Sequence, residues 1–286
     1  MKKRMVCWTL LAAFLLLAGC SVHPEEPKET LDPLLAQELN VSSEMAEKLA
    51  SGIQTVDQWA EGEQAKLHVR QTFGNCQELY VLYDVTFAEG IDPEGENVYM
   101  EGARFTDEKW IRAESHQSIK REGQTVTYLT YLARTYGAWE DRPYTFEVGP
   151  LRQSSSGTDP ASWAVLAEAV QVSWTPKNTG EVWKGTILSQ EGEDLGLVTL
   201  SPFGMYYLLS SSRQPSYDAL EATVKLTNQE GEDIPIYSFG GSHSKGTRGG
   251  EAVLLSVRGD YLFPEVMDLS QVKSLSIDGH TVTFDR

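Results

Sequence analysis

Cysteine is scarce in this 286-residue chain, with Cys7, Cys20 and Cys76 the whole supply. Two of the three fall within the first twenty residues, so the body holds Cys76 alone and has no internal disulfide available. Histidine is nearly as rare. His23, His68, His116, His243 and His280 show none of the close spacings that zinc ligands use, which argues against a metal centre. Positive charge is also short: 24 Lys and Arg face 41 Asp and Glu, a formal net charge of −17. That sign suits neither nucleic acid nor an anionic bilayer as a partner, because both need dense Lys and Arg. An apolar run occurs only near the start, between Met5 and Gly19, and falls short of the roughly 20 residues that span a bilayer.

What is present at the start is ordered. Met1-Lys2-Lys3-Arg4 is a compact basic region, the apolar run follows, and Leu17-Ala18-Gly19 leads into Cys20. These are the three parts of a secretory signal. The exit resembles a lipobox, the motif of bacterial prolipoproteins, and implies cleavage before Cys20 and a diacylglycerol on its thiol. Two acyl chains make a stable anchor where one does not, so the expected location is the extracytoplasmic face of a cell membrane. Removal of residues 1–19 takes three basic residues and leaves 267 residues at a net charge of −20.

Residues 20–38 read as a lipid-anchored flexible tether, since Ser21 to Thr30 is rich in Pro and Glu. Asp32 before Pro33, with Leu34, Leu35 and Leu39 following, predicts a short helix, and Ser43 to Ala50 predicts a second. From Lys66 the apolar period changes to two. Leu67, Val69 and Phe73 fall on one side, Gly74-Asn75 signals a turn, and Leu79, Val81, Tyr83, Val85 and Phe87 alternate again, which predicts a hairpin. Val126 to Leu132 is apolar on both faces, as a central strand would be. Further strands are expected at Asn97–Phe105, Tyr144–Val148 and Ala169–Trp174. The polar stretch Thr175–Gly180 marks a boundary between an N-terminal β-rich domain, 39–176, and a C-terminal one, 177–286. There, strands are expected at Val182–Leu188, Gly196–Leu209, Leu220–Thr227 and Ala252–Val257, with a closing hairpin over Asp278-Gly279. The fold class is therefore mainly β: two antiparallel, immunoglobulin-like β-sandwich domains after short N-terminal helices.

Gln54–Trp59, the Lys66–Phe73 strand and the run ELYVLYDVTF at Glu78–Phe87 resemble the extracytoplasmic domain of unknown function carried by certain anti-sigma factors of Gram-positive bacteria. Leu200-Ser201-Pro202-Phe203-Gly204, Phe263-Pro264-Glu265 and the closing SLSIDGHTVTF resemble the immunoglobulin-like domain that follows it. The resemblance spans most of residues 45–286 and brings no catalytic residues. Anti-sigma factors place a cytoplasmic domain and a transmembrane helix ahead of this region, whereas here a lipoprotein signal stands in their place. It implies a sensing or interaction module outside the membrane.

Motifs for chemistry are weak. Gly240–Gly250 combines Gly with Ser, Lys, Thr and Arg, yet Lys245 is followed by Gly246 and the spacing of a phosphate loop is missing, so a mobile loop between strands is expected. The acidic turns at Asp92–Asn97, Gln190–Asp194 and Gln229–Asp233 do not match a calcium loop. Tyr136, Trp139, Arg142 and Tyr144 form the candidate ligand-binding set, rings beside polar groups in a loop, although Trp and Tyr at strand ends are more often lids on a sandwich core. No cofactor is expected. The expected partners are membrane lipid through Cys20 and an envelope protein, peptide or cell-wall glycan, bound without catalysis. The alternative is an envelope hydrolase using acidic residues in a cleft between the domains.

Overall fold

The computed structural model describes residues 29–107, 111–134, 138–154, 163–177, 180–210, 223–248 and 251–285. The chain is mainly β, 55% strand against 9% helix, and its sheets are antiparallel. No helix among the described residues is long and apolar enough to cross a membrane. Cys20 lies outside the described residues.

Two short helices open the body: α1 (Pro33–Glu38) and α2 (Ser43–Lys48). Asp32 caps the first as its sequence predicts, its side chain accepting from the Leu34 amide, and Ser42 caps the second through the Met45 amide. Residues 29–38 are not a free tether. Leu35 is fully buried, the Asp32 carboxylate pairs with Arg70, the Asp32 amide donates to Gln71 Oε1 (2.7 Å), and Glu29 pairs with Lys177 (3.0 Å). Burial of Leu35 and these polar contacts hold the segment against the sheet, where composition alone suggested a spacer.

The N-terminal part has eleven strands: β1 (Ile53–Glu61), β2 (Ala65–Gly74), β3 (Glu78–Phe87), β4 (Val98–Met100), β5 (Ala103–Phe105), β6 (Ile111–Glu122), β7 (Thr125–Arg134), β8 (Tyr144–Val148), β9 (Leu151–Gln153), β10 (Ala164–Ala167) and β11 (Val170–Trp174). One layer is the five-stranded sheet β1-β2-β3-β7-β6. The expected hairpin is β2–β3, and the doubly apolar Val126–Leu132 run is β7, between two neighbours. One detail differs. Leu67 and Val69 face the core shared with the second layer, but Phe73 faces the opposite side, toward the helices. A register shift between Val69 and Gln71 inserts Arg70 as an extra residue, and one added residue exchanges the two faces of everything beyond it.

The second layer is formed by β10-β9-β4 and β11-β8-β5, two three-stranded sheets. Each strand of one continues into a strand of the other across two residues: Glu101-Gly102, Gly149-Pro150, and Glu168-Ala169. This layer is thus broken along one line. Phe105, Phe146, Tyr83 and Trp174 pack between the two layers with ring centroids 5.2–5.7 Å apart.

The C-terminal part has β12 (Trp183–Leu188), β13 (Asp194–Leu200), β14 (Gly204–Ser210), β15 (Val224–Asn228), β16 (Tyr237–Arg248), β17 (Glu251–Leu262), β18 (Val272–Ile277) and β19 (His280–Asp285) in one antiparallel sheet, order β15-β18-β19-β12-β13-β14-β17-β16. Ile187, Tyr207, Leu275 and Ile277 belong to its own core. Asp278 and Gly279 both take positive φ (51° and 76°) and make the two-residue turn between β18 and β19, as the sequence predicts. The Gly240–Gly250 segment differs from its expectation as a loop: Gly240 to Arg248 lie within β16 and pair along β17 from Asp260 to Glu251.

A third core joins the halves. Phe203, from the turn between β13 and β14, packs with Leu35, Leu49, Phe73, Leu82 and Leu129 under the two helices. Its ring meets Phe73 edge-on at 5.1 Å. Polar contacts reinforce it: Ser201 donates to the Glu78 carboxylate, and Lys48 pairs with Asp268 (2.8 Å).

Candidate functional site

The sequence-derived ligand set does not form a surface. Tyr136 lies outside the described residues. Trp139 is 1% exposed and Tyr144 is fully buried, and both rings pack against Phe105 at centroid distances of 5.8 and 5.4 Å. The Tyr144 hydroxyl accepts from Arg134 Nη1 (2.9 Å) and from the Glu140 amide (3.0 Å). Arg142 places its guanidinium 4.1 Å from the centre of the Tyr144 ring and bonds Glu140 (2.8 Å) and Asp107 (3.1 Å). The stacking faces are spent on the protein itself. These residues close one end of the sandwich core as lids, the commoner role of such rings, and the ligand-binding alternative is corrected accordingly.

Cys76 sits in the β2–β3 turn, where burial raises its thiol pKa, Lys184 opposing and Glu78 adding to the rise. Such a thiol is a poor nucleophile at neutral pH. Among the described residues no group of His, Cys, Asp and Glu is arranged to hold a metal ion.

An open cleft of about 370 Å³ lies instead where the second layer is broken. Tyr99, Glu101, Gly102, Arg104, His116 and Gly149 line it. Its geometry follows from two glycines. Gly102 has φ +91°, which lets the chain leave one three-stranded sheet at β4 and enter the other at β5. Gly149 donates its amide to Gly102 O (2.7 Å), and a Cβ there would stand 2.9 Å from Glu101 Cβ and 3.1 Å from Gly102 O. The two breaks lie side by side and leave a gap next to the edge strand β6.

His116 forms the inner wall. Its Nδ1 is 2.9 Å from the Tyr83 hydroxyl and 3.0 Å from Thr130 Oγ1, and its ring stacks on Tyr128 at 5.0 Å and 11°. Burial lowers its pKa from 6.5 to about 4, so the imidazole is neutral at physiological pH. With Nδ1 accepting from a hydroxyl, the proton belongs on Nε2, which is buried and has no hydrogen-bond partner. The charged rim is paired internally. Arg104 donates twice to Glu147 Oε1 (3.1 and 2.7 Å), and Arg152 donates to Glu101 (2.5 Å). Tyr99 is about half exposed and meets Trp163 edge-on at 6.1 Å. The cleft therefore offers an aromatic edge, backbone groups and fixed ion pairs, an arrangement fitted to holding a ligand.

Asn97–Phe105 reads in sequence as one strand, and the cleft is invisible from that reading. The available signal was Gly102, since a glycine inside a strand pattern marks a break or a close backbone approach.

No family model matches the chain, and no curated protein matches it. Two solved structures are similar to it. A conserved domain protein from Bacillus anthracis is 13% identical over 78% of this chain and 75% of its own, with a TM-score of 0.47. The N-terminal periplasmic domain of ScsB from Proteus mirabilis is 11% identical over 82% of this chain and 97% of its own, with a TM-score of 0.21. Both likenesses are too distant to bear on function.

Proposed function

We propose that the chain is a lipid-anchored, extracytoplasmic lipoprotein that acts as a non-enzymatic binding, sensing or interaction module of the cell envelope. The anchor is Cys20, and the body is two immunoglobulin-like halves held at the membrane surface. The observation that carries the reading is the cleft between β4, β5 and β6, with its neutral His116 and its already paired charges. Catalysis by acid and base asks for groups whose pKa values are tuned toward the working pH. His116 is shifted away from it, and among the described residues the carboxylates with displaced values, Glu122 and Asp268, are both lowered by ion pairs. That pattern suits recognition. The ligand is an envelope protein, a peptide or a glycan presenting a face to Tyr99 and hydrogen-bonding groups to the cleft floor.

The test is photo-crosslinking in the native envelope. A photoreactive side chain replaces Tyr99 in one variant and exposed Leu197 of β13 in another, with Cys20→Ala as the untethered control. Adducts should form at position 99 and not at 197, and they should fall sharply when the anchor is removed. Equal labelling at both positions counts against the cleft. Time-dependent release of soluble wall fragments by the purified protein would replace the binding reading with hydrolysis.

A further inference from the structure

A second surface lies on the far edge of the five-stranded sheet, on the face that the helices share. α1, α2 and Phe203 cover only the half that holds Phe73, Tyr80 and Leu82. The other half lies beyond them, with Trp59 and Lys120 exposed at its ends, His68 and Asp84 mostly covered and Thr127 buried, and its residues are aligned by register. Trp59 of β1 stands opposite His68 of β2, which stands opposite Asp84 of β3, then Thr127 of β7 and Lys120 of β6. Four inter-strand steps make a row about 19 Å long. A parallel row one pair along the strands includes Glu61, Lys66, Thr86 and Thr125.

Trp59 is the aromatic feature of this face. It is 62% exposed, and its ring lies flat on His68 at 3.6 Å and 7°. One indole face is thus occupied by the imidazole, and the other is turned to solvent. His68 is itself fixed from the side by Asp57 at 2.9 Å, so the stacked pair is held in orientation before any ligand arrives.

The cations around the pair are engaged by carboxylates. Lys66 pairs with Glu61 (2.9 Å), Lys120 with Glu122 (2.6 Å), and Arg70 with Asp32 and Asp84 (3.6 Å to the latter). Hydroxyls and carboxylates form a chain between them: Thr127 donates to Asp84 Oδ1 (2.7 Å), and Thr86 and Thr125 share a hydrogen bond (2.8 Å). A charged partner would have to break these pairs to gain contacts of its own. An uncharged ligand rich in hydroxyl groups needs only the spare lone pairs and N–H groups that pairing leaves, plus a flat ring against which its C–H face can stack.

We infer that this row is a glycan-binding platform, on which a linear, uncharged polysaccharide strand lies across the five strands with one sugar ring on the open face of Trp59. The inference rests on the reading of the chain as a binding module and uses a surface separate from the cleft at Tyr99.

The experiment is calorimetric titration of the full mature chain with a β-1,4-linked N-acetylglucosamine tetramer, beside co-sedimentation with insoluble chitin, the uncharged polymer of the same sugar. Both probes should bind the unaltered protein. Trp59→Ala should weaken binding at least about tenfold, the equivalent of about 1.4 kcal/mol. Trp59→Tyr should recover part of the loss, and Leu197→Ala on the exposed side of β13 should leave binding unchanged. Because Trp59 is exposed, circular dichroism should show the same fold in each variant. The inference is overturned if neither probe binds, if Trp59→Ala binds as well as the parent, or if a tetralysine peptide binds through Trp59 in their place. The crosslinking at position 99 is unaffected by any of these results, so the two readings fail separately.

Discussion

His116 ties a wall of the cleft to the stability of the sandwich. Its pKa is about 4 in the folded chain and near 6.5 when unfolded, so between those values the unfolded chain binds more protons. The stabilisation is complete above pH 6.5, is lost as pH falls through the window, and levels off below about pH 4. Two and a half units correspond to about 3 kcal/mol at most. His116→Phe should remove this component, and Tyr83 keeps Thr130 as a partner at 3.1 Å in the variant. Urea unfolding at pH 7 and pH 4.5 should show the parent losing about 2–3 kcal/mol more than His116→Phe. An equal loss in both proteins would mean that the imidazole is not held neutral. Trp139 and Tyr144 teach the complementary lesson at the same scale. Aromatic residues at strand ends cap a core or face a ligand, and only burial separates the two, which residue type does not encode.

Among the elements, strands with clean alternation were legible and strands with interruptions were not. β3 alternates without a break from Leu79 to Phe87, and its inward residues agree with the pattern. β1 escaped notice because its register slips between Thr55 and Gln58 and Asp57 adopts φ +47°, which spoils any period of two. Trp59 follows that slip, so its place on the open face was hidden too. β6 is a polar edge strand with two shifts, around Glu114 and Ile119, and has no apolar face to read. Gly240–Arg248 was mistaken because glycine suggests a loop, whereas here pairing with β17 supplies the order that side chains do not. The turn between β13 and β14 is an element with an outsized role, since it delivers Phe203 to the third core. Phe203→Ala should cost about 3–5 kcal/mol. Hydrogen exchange should then quicken in α1 and at the Phe73 end of β2 and leave β18 and β19 unchanged. Uniform protection across the chain would show that the ring is not what holds the helices down.

At the scale of the molecule, Glu78 is the polar counterpart of Phe203. Its carboxylate accepts from Tyr131 (2.8 Å), Asn75 (2.8 Å) and Ser201, so one side chain of the first half is bonded to the second. Glu78→Ala leaves those donors without their acceptor, at about 1–3 kcal/mol each where buried. Scanning calorimetry should resolve two transitions in this variant where the parent shows one. A single unsplit transition would indicate that the halves are coupled by other contacts. The break between β11 and β12 was legible from the polar stretch after Trp174, because turns and linkers differ from strands in composition. The joint was not, because its partners are more than a hundred residues apart in the chain and no local pattern announces them.

The docking of residues 29–38 has a mechanical corollary. Under the proposed lipidation of Cys20, nine chain steps separate the anchor from Glu29, a reach of about 30 Å when fully drawn out. A tug along it would arrive first at Glu29, paired with Lys177, and then at the grip of Asp32 on Arg70 and the buried Leu35. Leu35 shares a core with Phe203, so traction from the proposed anchor would load the core that joins the two parts before it loads the core of either.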